Sequence, residues 1–385
     1  MSVPTHPGSR KAPEVDAARA PASGQAAASS RKGSVSVIIP AYGNGLHLER
    51  CLESLLGRGP IPFTVHVVDD GSPEPIELPG SWPGVRCHRR ERNCGPVSAV
   101  QYALTQTADD WIVLLNSDVR VGPESLRRLL EVLREYPEYD VAVPKLLRSQ
   151  QQRVIDSAGD AVLMGGGSYR VGAGERDLGQ YDGLRRVPTA ASTLCATRRS
   201  LLEELGGLDQ DFIGFLEDVD LALRARLRGY RCVYVPSAEA FHEGGASFGH
   251  WKESDILRLI TRNQIWVVAK NFPVAVLWRA LPRILVFQTL WLGLMLSRGF
   301  LGAYLRGVGQ ALLGLPRMLR KRREIQAGRK IPAQEFLRLL VQAEREIAAW
   351  QRRLARRQRS TLLRWYFGLF GEPSSASSAE ADADR

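Results

Sequence analysis

Stations of acidic, amide and imidazole side chains occur in this order along the chain: Asp69-Asp70-Gly71-Ser72, Asn116-Ser117-Asp118, Glu217-Asp218-Val219-Asp220 and His242. The first two close the apolar runs VHVV and WIVLL, the third opens a helical stretch, and His242 follows CVYV inside the glycine-rich FHEGGAS. Carboxylates at the ends of buried strands gather along one edge of an open α/β sheet, where such sheets bind ligands. Mg²⁺ or Mn²⁺ takes few protein oxygens and completes its shell with phosphate oxygens. An acidic edge on a basic protein therefore points to a divalent cation escorting a phosphorylated substrate.

Each station has its own chemistry. A carboxylate at Asp69 or Asp70 can accept from a base N–H or a ribose hydroxyl, although Asp-Gly-Ser is equally ordinary turn chemistry. Asn116-Ser117-Asp118 is sharper: its outer two side chains face the same way, toward a ligand, and Asp118 can ligate a cation that bridges two phosphates. Such a cation neutralises charge on a departing diphosphate. Acidic residues in a first turn suit the helix dipole, but three carboxylates in Glu217–Asp220 exceed that need. A base that deprotonates an acceptor hydroxyl fits here; Asp218 takes that role, oriented by Glu217 or Asp220. His242 is a candidate metal ligand, set against the plainer reading of a structural histidine.

These residues need elements to hold them. SVSVIIP, PFTVHVVDD, VRCHRRER, DDWIVLLNSD and VAVPKLL read as strands, with helices over 46–56, 95–107 and from Pro123, where proline suits the first helical position. This alternation predicts a doubly wound, mostly parallel α/β sheet. Residues 148–188, rich in Gly, Arg, Asp and Gln, read as loops with short strands near the site, and Gly165–Gly167 as a segment able to close over it. A strand and short helix follow over 189–206, then a helix from Glu217 to Gly229.

From about Ser254 the character changes. The chain has 385 residues and a formal net charge of +11. By region the balance is −1 over 1–270, +15 over 271–364 (19 basic, 4 acidic) and −3 over 365–385. Residues 284–297 are uncharged, too short for a span of ~20 apolar residues. Apolar helices punctuated by Arg suit an anionic membrane surface, and a helical subdomain packed on the core is the alternative. Phe336, Leu340, Ala343, Ile347, Trp350 and Leu354 form a heptad seam that can pair with another chain, giving a homo-oligomer, or fold back. The domain reading is a disordered tail over 1–33, a catalytic domain over 34–253, a helical, basic, membrane-associating region over 254–364, and a mostly disordered acidic tail over 365–385. Five scattered cysteines fit a reducing compartment. The N-terminal stretch lacks an apolar core of signal-peptide length, so the expected location is cytoplasmic, peripheral at the inner membrane face.

Taken together, VSVIIPAYG, VVDDGS, RNCGPVSAV, WIVLLNSDV, GGLDQDFIGFLEDVDLALRARLRGY and FHEGGAS, over about 34–250, resemble a family 2 glycosyltransferase with the GT-A fold. SAGD…GAGERDLGQYD and LRLITRNQIWVVAKNFP resemble its rhamnosyltransferase-like branch. The resemblance implies a nucleotide-sugar donor, a divalent metal and inversion at the sugar carbon. It also implies that Pro40, Tyr42 and Asp69 frame the nucleotide with Asp70 and Asn93 nearby. Asp118 and His242 would ligate the metal, and Asp218 would act as base. Asn116 stands where many relatives have Asp, though this branch often has Asn, and Gln101 where Asn is common. The acceptor expected is a glycan or lipid-linked saccharide, and dTDP-rhamnose is the donor suggested by the branch. A noncatalytic membrane scaffold retaining the fold is the rival from another class. The strand end Pro40-Ala41-Tyr42-Gly43 carries no dinucleotide or Walker glycine motif, and the basic C-terminus contains no base-reading module, so nucleic acid is not an expected partner.

Overall fold

The computed structural model describes residues 33–43, 45–57, 63–78, 82, 84–189, 193–244 and 251–371. The tail expected over 1–33, apart from Gly33, and residues 372–385 of the acidic tail lie outside them, as do residues 245–250, which include the last three of FHEGGAS.

The strands are β1 (Val35–Ala41), β2 (Thr64–Asp69), β3 (Val85–Arg89), β4 (Trp111–Leu115), β5 (Val119–Arg120), β6 (Val141–Ser149), β7 (Val154–Ser157), β8 (Asp160–Val162), β9 (Ser168–Arg170), β10 (Arg185–Val187), β11 (Leu194–Arg198) and β12 (Cys232–His242). The helices are α1 (Gly45–Leu56), α2 (Pro96–Thr105), α3 (Pro123–Glu135), α4 (Arg199–Leu205), α5 (Glu217–Leu227), α6 (Glu253–Asn271), α7 (Val274–Ser297), α8 (Leu301–Ala327), α9 (Ala333–Arg353) and α10 (Thr361–Phe370). The main sheet runs β10-β12-β6-β11-β4-β1-β2-β3, with β5 added to β12 and β7 to β6. It is parallel through β4-β1-β2-β3 and between β6 and β12, while β11 is antiparallel to both its neighbours.

The all-apolar strands are buried on both faces. On β1, Val35, Val37 and Ile39 pack with α1 and α3, while Ile38 enters the opposite layer beside α2. Each such side chain contributes roughly 1.5–3 kcal/mol on full burial. Helix α1 turns Leu48, Cys51, Leu52 and Leu55 inward at steps of three and four. Helix α2 begins with Pro96 after Gly95, whose φ is 89° and whose added Cβ would lie 2.7 Å from the Ile213 carbonyl oxygen.

The C-terminal helices are packed on the sheet domain. Along the heptad seam of α9, Phe336, Leu340, Ala343, Ile347, Trp350 and Leu354 are all buried within the chain. The seam is spent on the protein's own core and leaves no free stripe for a coiled-coil partner. Glu344 on the same helix accepts from Met164 N at 3.0 Å and from the Tyr366 hydroxyl at 2.5 Å. Helix α10 thus carries ordered chain beyond residue 364, because Leu363 and Tyr366 bury against Phe287 and α9. Residues 284–297 belong to the longer α7, which includes Arg279, Pro282 and Arg283. Gly165–Gly167 do not form a free closing loop. They make the β8–β9 turn, and a Cβ added at Gly165 or Gly167 would sit 2.6 or 2.5 Å from Phe287 of α7. Glycine there serves close packing of the hairpin against the helix.

Candidate active site

Strand β12 is longer than CVYV alone suggests, because it resumes beyond an irregularity between Val235 and Glu239. Its last residue is His242, so the histidine stands on a strand end and not in a loop. That end pairs antiparallel with β5, His242 opposite Val119 and Phe241 opposite Arg120. Glu243 N donates to Asp118 O at 3.0 Å. The pairing sets His242 Nε2 3.5 Å from Asp118 Oδ1, so the two side chains expected to share a cation do meet.

The other imidazole nitrogen, Nδ1, lies 2.8 Å from Asp156 Oδ2. Asp156 comes from β7 and also pairs with Arg170 at 2.5 Å and Arg148 at 3.2 Å. Burial pushes its carboxyl up, yet the His242 hydrogen bond and the two arginines hold it at about 2. Burial pushes His242 down, but hydrogen bonds and charge from Asp118 and Asp156 raise it to about 9. A carboxylate behind one ring nitrogen, with the other nitrogen turned toward a second carboxylate, is the usual support of a metal-binding histidine.

Asp118 and His242 line a cavity of about 470 Å³ together with Asn116, Asp160, Arg170, Glu217 and Asp218. Phe215, Leu216 and Tyr169, with Ile256 and Ile260 of α6, give it an apolar wall. Carboxyls here repel one another. Burial and then the Asp218 charge push Asp160 up to about 7, against a 2.8 Å hydrogen bond from Ser157. Glu217 is raised by burial and by the charges of Asp218 and Asp220, and its Oε2 is buried without a hydrogen-bond partner. A cluster of buried carboxyls, two of them held toward their neutral forms by burial and mutual repulsion and one with an orphaned oxygen, suits a cation. Among the described residues no group of three or more His, Cys, Asp or Glu side chains converges as a metal cage. A donor pair of Asp118 and His242 would fit Mg²⁺ or Mn²⁺ finishing its shell with phosphate and water.

Asp218 is half-buried and Oδ1 accepts from Val219 N at 2.7 Å. Its neighbours in the acidic triplet divide. Glu217 lines the same cavity, but Asp220 points the other way and is fully buried. Asp220 takes Lys270 at 2.8 Å, Arg224 at 2.8 Å and the Asn271 amide at 2.9 Å. It therefore fastens α5 to α6 and does not orient Asp218. One turn of helix cannot send adjacent side chains to one spot.

The residues expected to frame the nucleotide, Pro40, Tyr42, Asp69, Asp70 and Asn93, lie elsewhere on the same sheet edge and not in this cavity. Asp69 accepts from Ser72 N at 2.9 Å, Ile76 N at 3.2 Å and Arg89 at 2.7 Å. Asp70 accepts from Arg90 at 2.8 Å, Cys94 N at 3.0 Å and Gly95 N at 2.7 Å. Both carboxylates fix turns here, one after β2 and one before α2. Pro40 and Tyr42 are half-buried at the end of β1, and exposed Asn93 accepts from Gly95 N at 2.9 Å. Gln101 lies apart from them, bridging Gly206 O and Leu208 N.

Asp156, Asp160 and Arg170 were not singled out from the sequence. The short alternating runs RVIDSAGDAV and SYRV inside the polar 148–188 region carry the signal for them: strands too short for a strong period, with carboxylates on buried positions.

Comparison with known proteins places these features in context. The model of a family described as "Glycosyl transferase family 2" matches residues 36–206. An N-acetylglucosaminyl-diphospho-decaprenol L-rhamnosyltransferase of Mycobacterium tuberculosis, in strains CDC 1551 and H37Rv, is 30% identical over 237 residues, spanning 55% of this chain and 77% of that protein. The structure of GalNAc-T7 with UDP, GalNAc and Mn²⁺ is similar at a TM-score of 0.53 and 18% identity, over 67% of this chain and 51% of that one, about half its length. S. aureus TarS 1-349 in complex with UDP-GlcNAc gives 0.51 and 18%, over 80% and 90% of the two chains.

Proposed function

Because the chain belongs to glycosyl transferase family 2 and is a glycosyltransferase of the GT-A fold, we propose that it moves a sugar, with inversion, from a nucleoside diphosphate to a hydroxyl of a lipid-linked saccharide. The observation that carries this reading is the meeting of Asp118, His242 and Asp218 around one cavity. In this reading Asp118 and His242 would hold a divalent ion, which when bound would supply charge neutralisation for the diphosphate. Asp218 accepts the acceptor hydroxyl proton, the hydroxyl oxygen bonds to the anomeric carbon, and the bond from that carbon to the diphosphate oxygen breaks. Asp156 holds the His242 ring, and Arg170 adds a positive side chain to a cavity otherwise dominated by carboxyls. Glu217 and Asp160, held toward their neutral forms, keep repulsion low until the substrates enter.

The apolar wall of Phe215, Leu216, Ile256 and Ile260 supports a 6-deoxyhexose, whose methyl group needs no hydrogen bond. With the M. tuberculosis relative named for L-rhamnose and a polyprenyl diphosphate acceptor, the reading becomes transfer of rhamnose from dTDP-rhamnose to a saccharide on a lipid diphosphate. Pro40, Tyr42, Asp69, Asp70, Asn93 and Asn116 would receive the nucleotide sugar. The basic C-terminal helices support peripheral docking on an anionic membrane from the cytoplasmic side. Trp278, Leu285, Leu312, Leu313, Trp365 and Leu369 are exposed there, and α7 is long and apolar enough to cross a membrane by length and composition alone.

The test is a panel of nucleotide sugars with an N-acetylglucosaminyl-diphospho-lipid acceptor, with Mn²⁺ or with EDTA. Nucleoside diphosphate release with dTDP-L-rhamnose, dependent on both acceptor and cation, is expected, and NMR of the product should show the inverted anomer. A cation-independent reaction sinks the metal role, retention sinks single displacement, and silence with every donor favours the scaffold reading.

A further inference from the structure

Just ahead of the acidic triplet the backbone is strained. Ile213, Phe215 and Leu216 have φ of 68°, 64° and 64°, a region that side-chain-bearing residues rarely enter. Ile213, with ψ of −52°, closes a γ-turn of the strained hand in which Gly214 N donates to Phe212 O at 2.8 Å. Phe215 and Leu216 line the cavity, and Leu216 leads directly into Glu217 and Asp218. Such strain persists only where the surroundings over-determine it.

The surroundings here are two adjacent side chains of α6. Asn263 is fully buried and its Nδ2 faces three carbonyl oxygens, those of Phe212 at 3.3 Å, Gly214 at 2.9 Å and Phe215 at 2.7 Å. Arg262 is buried too and donates through Nη2 to Asp211 O at 3.0 Å and Phe212 O at 2.8 Å, with its guanidinium carbon 4.3 Å from the Trp266 ring centroid. Arg262 Nε donates to Asn263 Oδ1 at 2.8 Å. That contact and the three carbonyls fix the amide orientation, since only Nδ2 can donate. Both ends of the segment are anchored by charge. Asp209 meets Lys270 and Lys321, each at 2.5 Å; Asp211 meets Lys321 at 2.8 Å and Arg317 at 2.9 Å; and Asp220 meets Lys270 beyond the turn.

We propose that Arg262 and Asn263 are positioning residues for the transfer reaction, clamping the strained 211–216 backbone so that the first turn of α5 delivers Asp218 into the cavity. The proposal rests on the reading of Asp218 as base. It makes α6, outside the expected catalytic domain, part of the machinery that sets the base.

Asn263→Ala tests it. The expected result is a fall in kcat of about 100-fold, a dissociation constant for dTDP within threefold of the parent, a displaced acidic limb of the kcat–pH profile, and faster amide hydrogen exchange confined to 211–220. Adding Ile213→Gly to Asn263→Ala relieves strain where no clamp remains and should recover about tenfold in kcat. If Asn263→Ala does not fold, Arg262→Lys, which keeps a cation on Trp266 but loses the forked donor, should show the same pattern at about 10-fold. Unchanged exchange over 211–216 overturns the clamp whatever the activity. So does a loss of kcat that merely follows the loss of folded protein, with exchange rising throughout α6. A parent protein inactive with every donor sinks the transfer reading instead, and the exchange measurement still decides the clamp.

Discussion

At the residue scale, the division of labour around His242 makes separable predictions. Asp218→Asn removes the proposed proton acceptor while keeping shape, and should lower transfer about 10²–10⁴-fold, the usual worth of a general base, with dTDP binding unchanged. Lost nucleotide binding with residual chemistry intact would contradict that role. Asp156→Asn removes the carboxylate behind the imidazole and should weaken Mn²⁺ binding about 10–100-fold, the usual worth of such a partner; titration calorimetry reads it directly. Asp118, Asp218 and His242 were legible in the sequence because each sits where a strand ends or a helix begins, and the register of a sheet brings such ends together. Asp156 was not, since nothing local says that β7 will lie against β6 and turn its carboxylate to a histidine 86 residues away. The role of Asp220 was misread for a related reason: a helix sends neighbouring carboxylates to different sides, and only the packing of α6 decides which side holds the cations.

At the element scale, β1, β2 and β3 are joined by a polar stitch as well as by their ladders. His66 of β2 lies 3.4 Å from Ser36 Oγ of β1, and its Nδ1 lies 3.1 Å from His88 Nε2 of β3, with the rings stacked at 5.3 Å. Burial, then the charges of His88 and Arg86, lower His66 to about 4. A group whose folded pKa is depressed contributes stability above its unfolded value that is lost as pH falls through the folded one. Unfolding free energy should therefore drop by up to about 3 kcal/mol between pH 6.5 and 4, and His66→Gln should flatten that slope in urea titrations; an unchanged slope would assign the acid sensitivity elsewhere. The parallel strands and their helices were readable because each is a long apolar or amphipathic run. The 148–188 region was not resolved in detail, because strands of three or four residues carry too little periodicity. The ambiguous heptad of α9 was settled only by what it packs on, since a seam looks the same whether it meets a sister chain or its own sheet.

At the scale of the whole molecule, charge and apolar surface separate from the site. The net +15 of residues 271–364 accompanies unpartnered Leu and Trp on α7, α8 and α10. Along α8, Leu305, Leu312 and Leu319 recur at seven-residue steps with Leu312 and Leu313 60% and 84% exposed, a stripe consistent with lying in an interface plane. Leu312→Asp with Leu313→Asp should cut sedimentation with phosphatidylglycerol vesicles at least tenfold while leaving nucleoside diphosphate release to a short-chain acceptor within twofold. Undiminished sedimentation would move the docking surface elsewhere. The C-terminal helices cannot simply be removed as a block, because α6 contributes a cavity wall and α9 and α10 seal the β8–β9 hairpin.

The antiparallel contact of β5 with the far end of β12 carries an implication for biosynthesis. A ribosome releases Asp118 well before it reaches His242, so an unfinished polypeptide holds one half of the proposed cation seat and lacks the other. On the proposed reading, that seat is completed only when the last strand of the sheet closes, and the base waits longer still, until α6 emerges to wall the cavity and hold the turn ahead of α5.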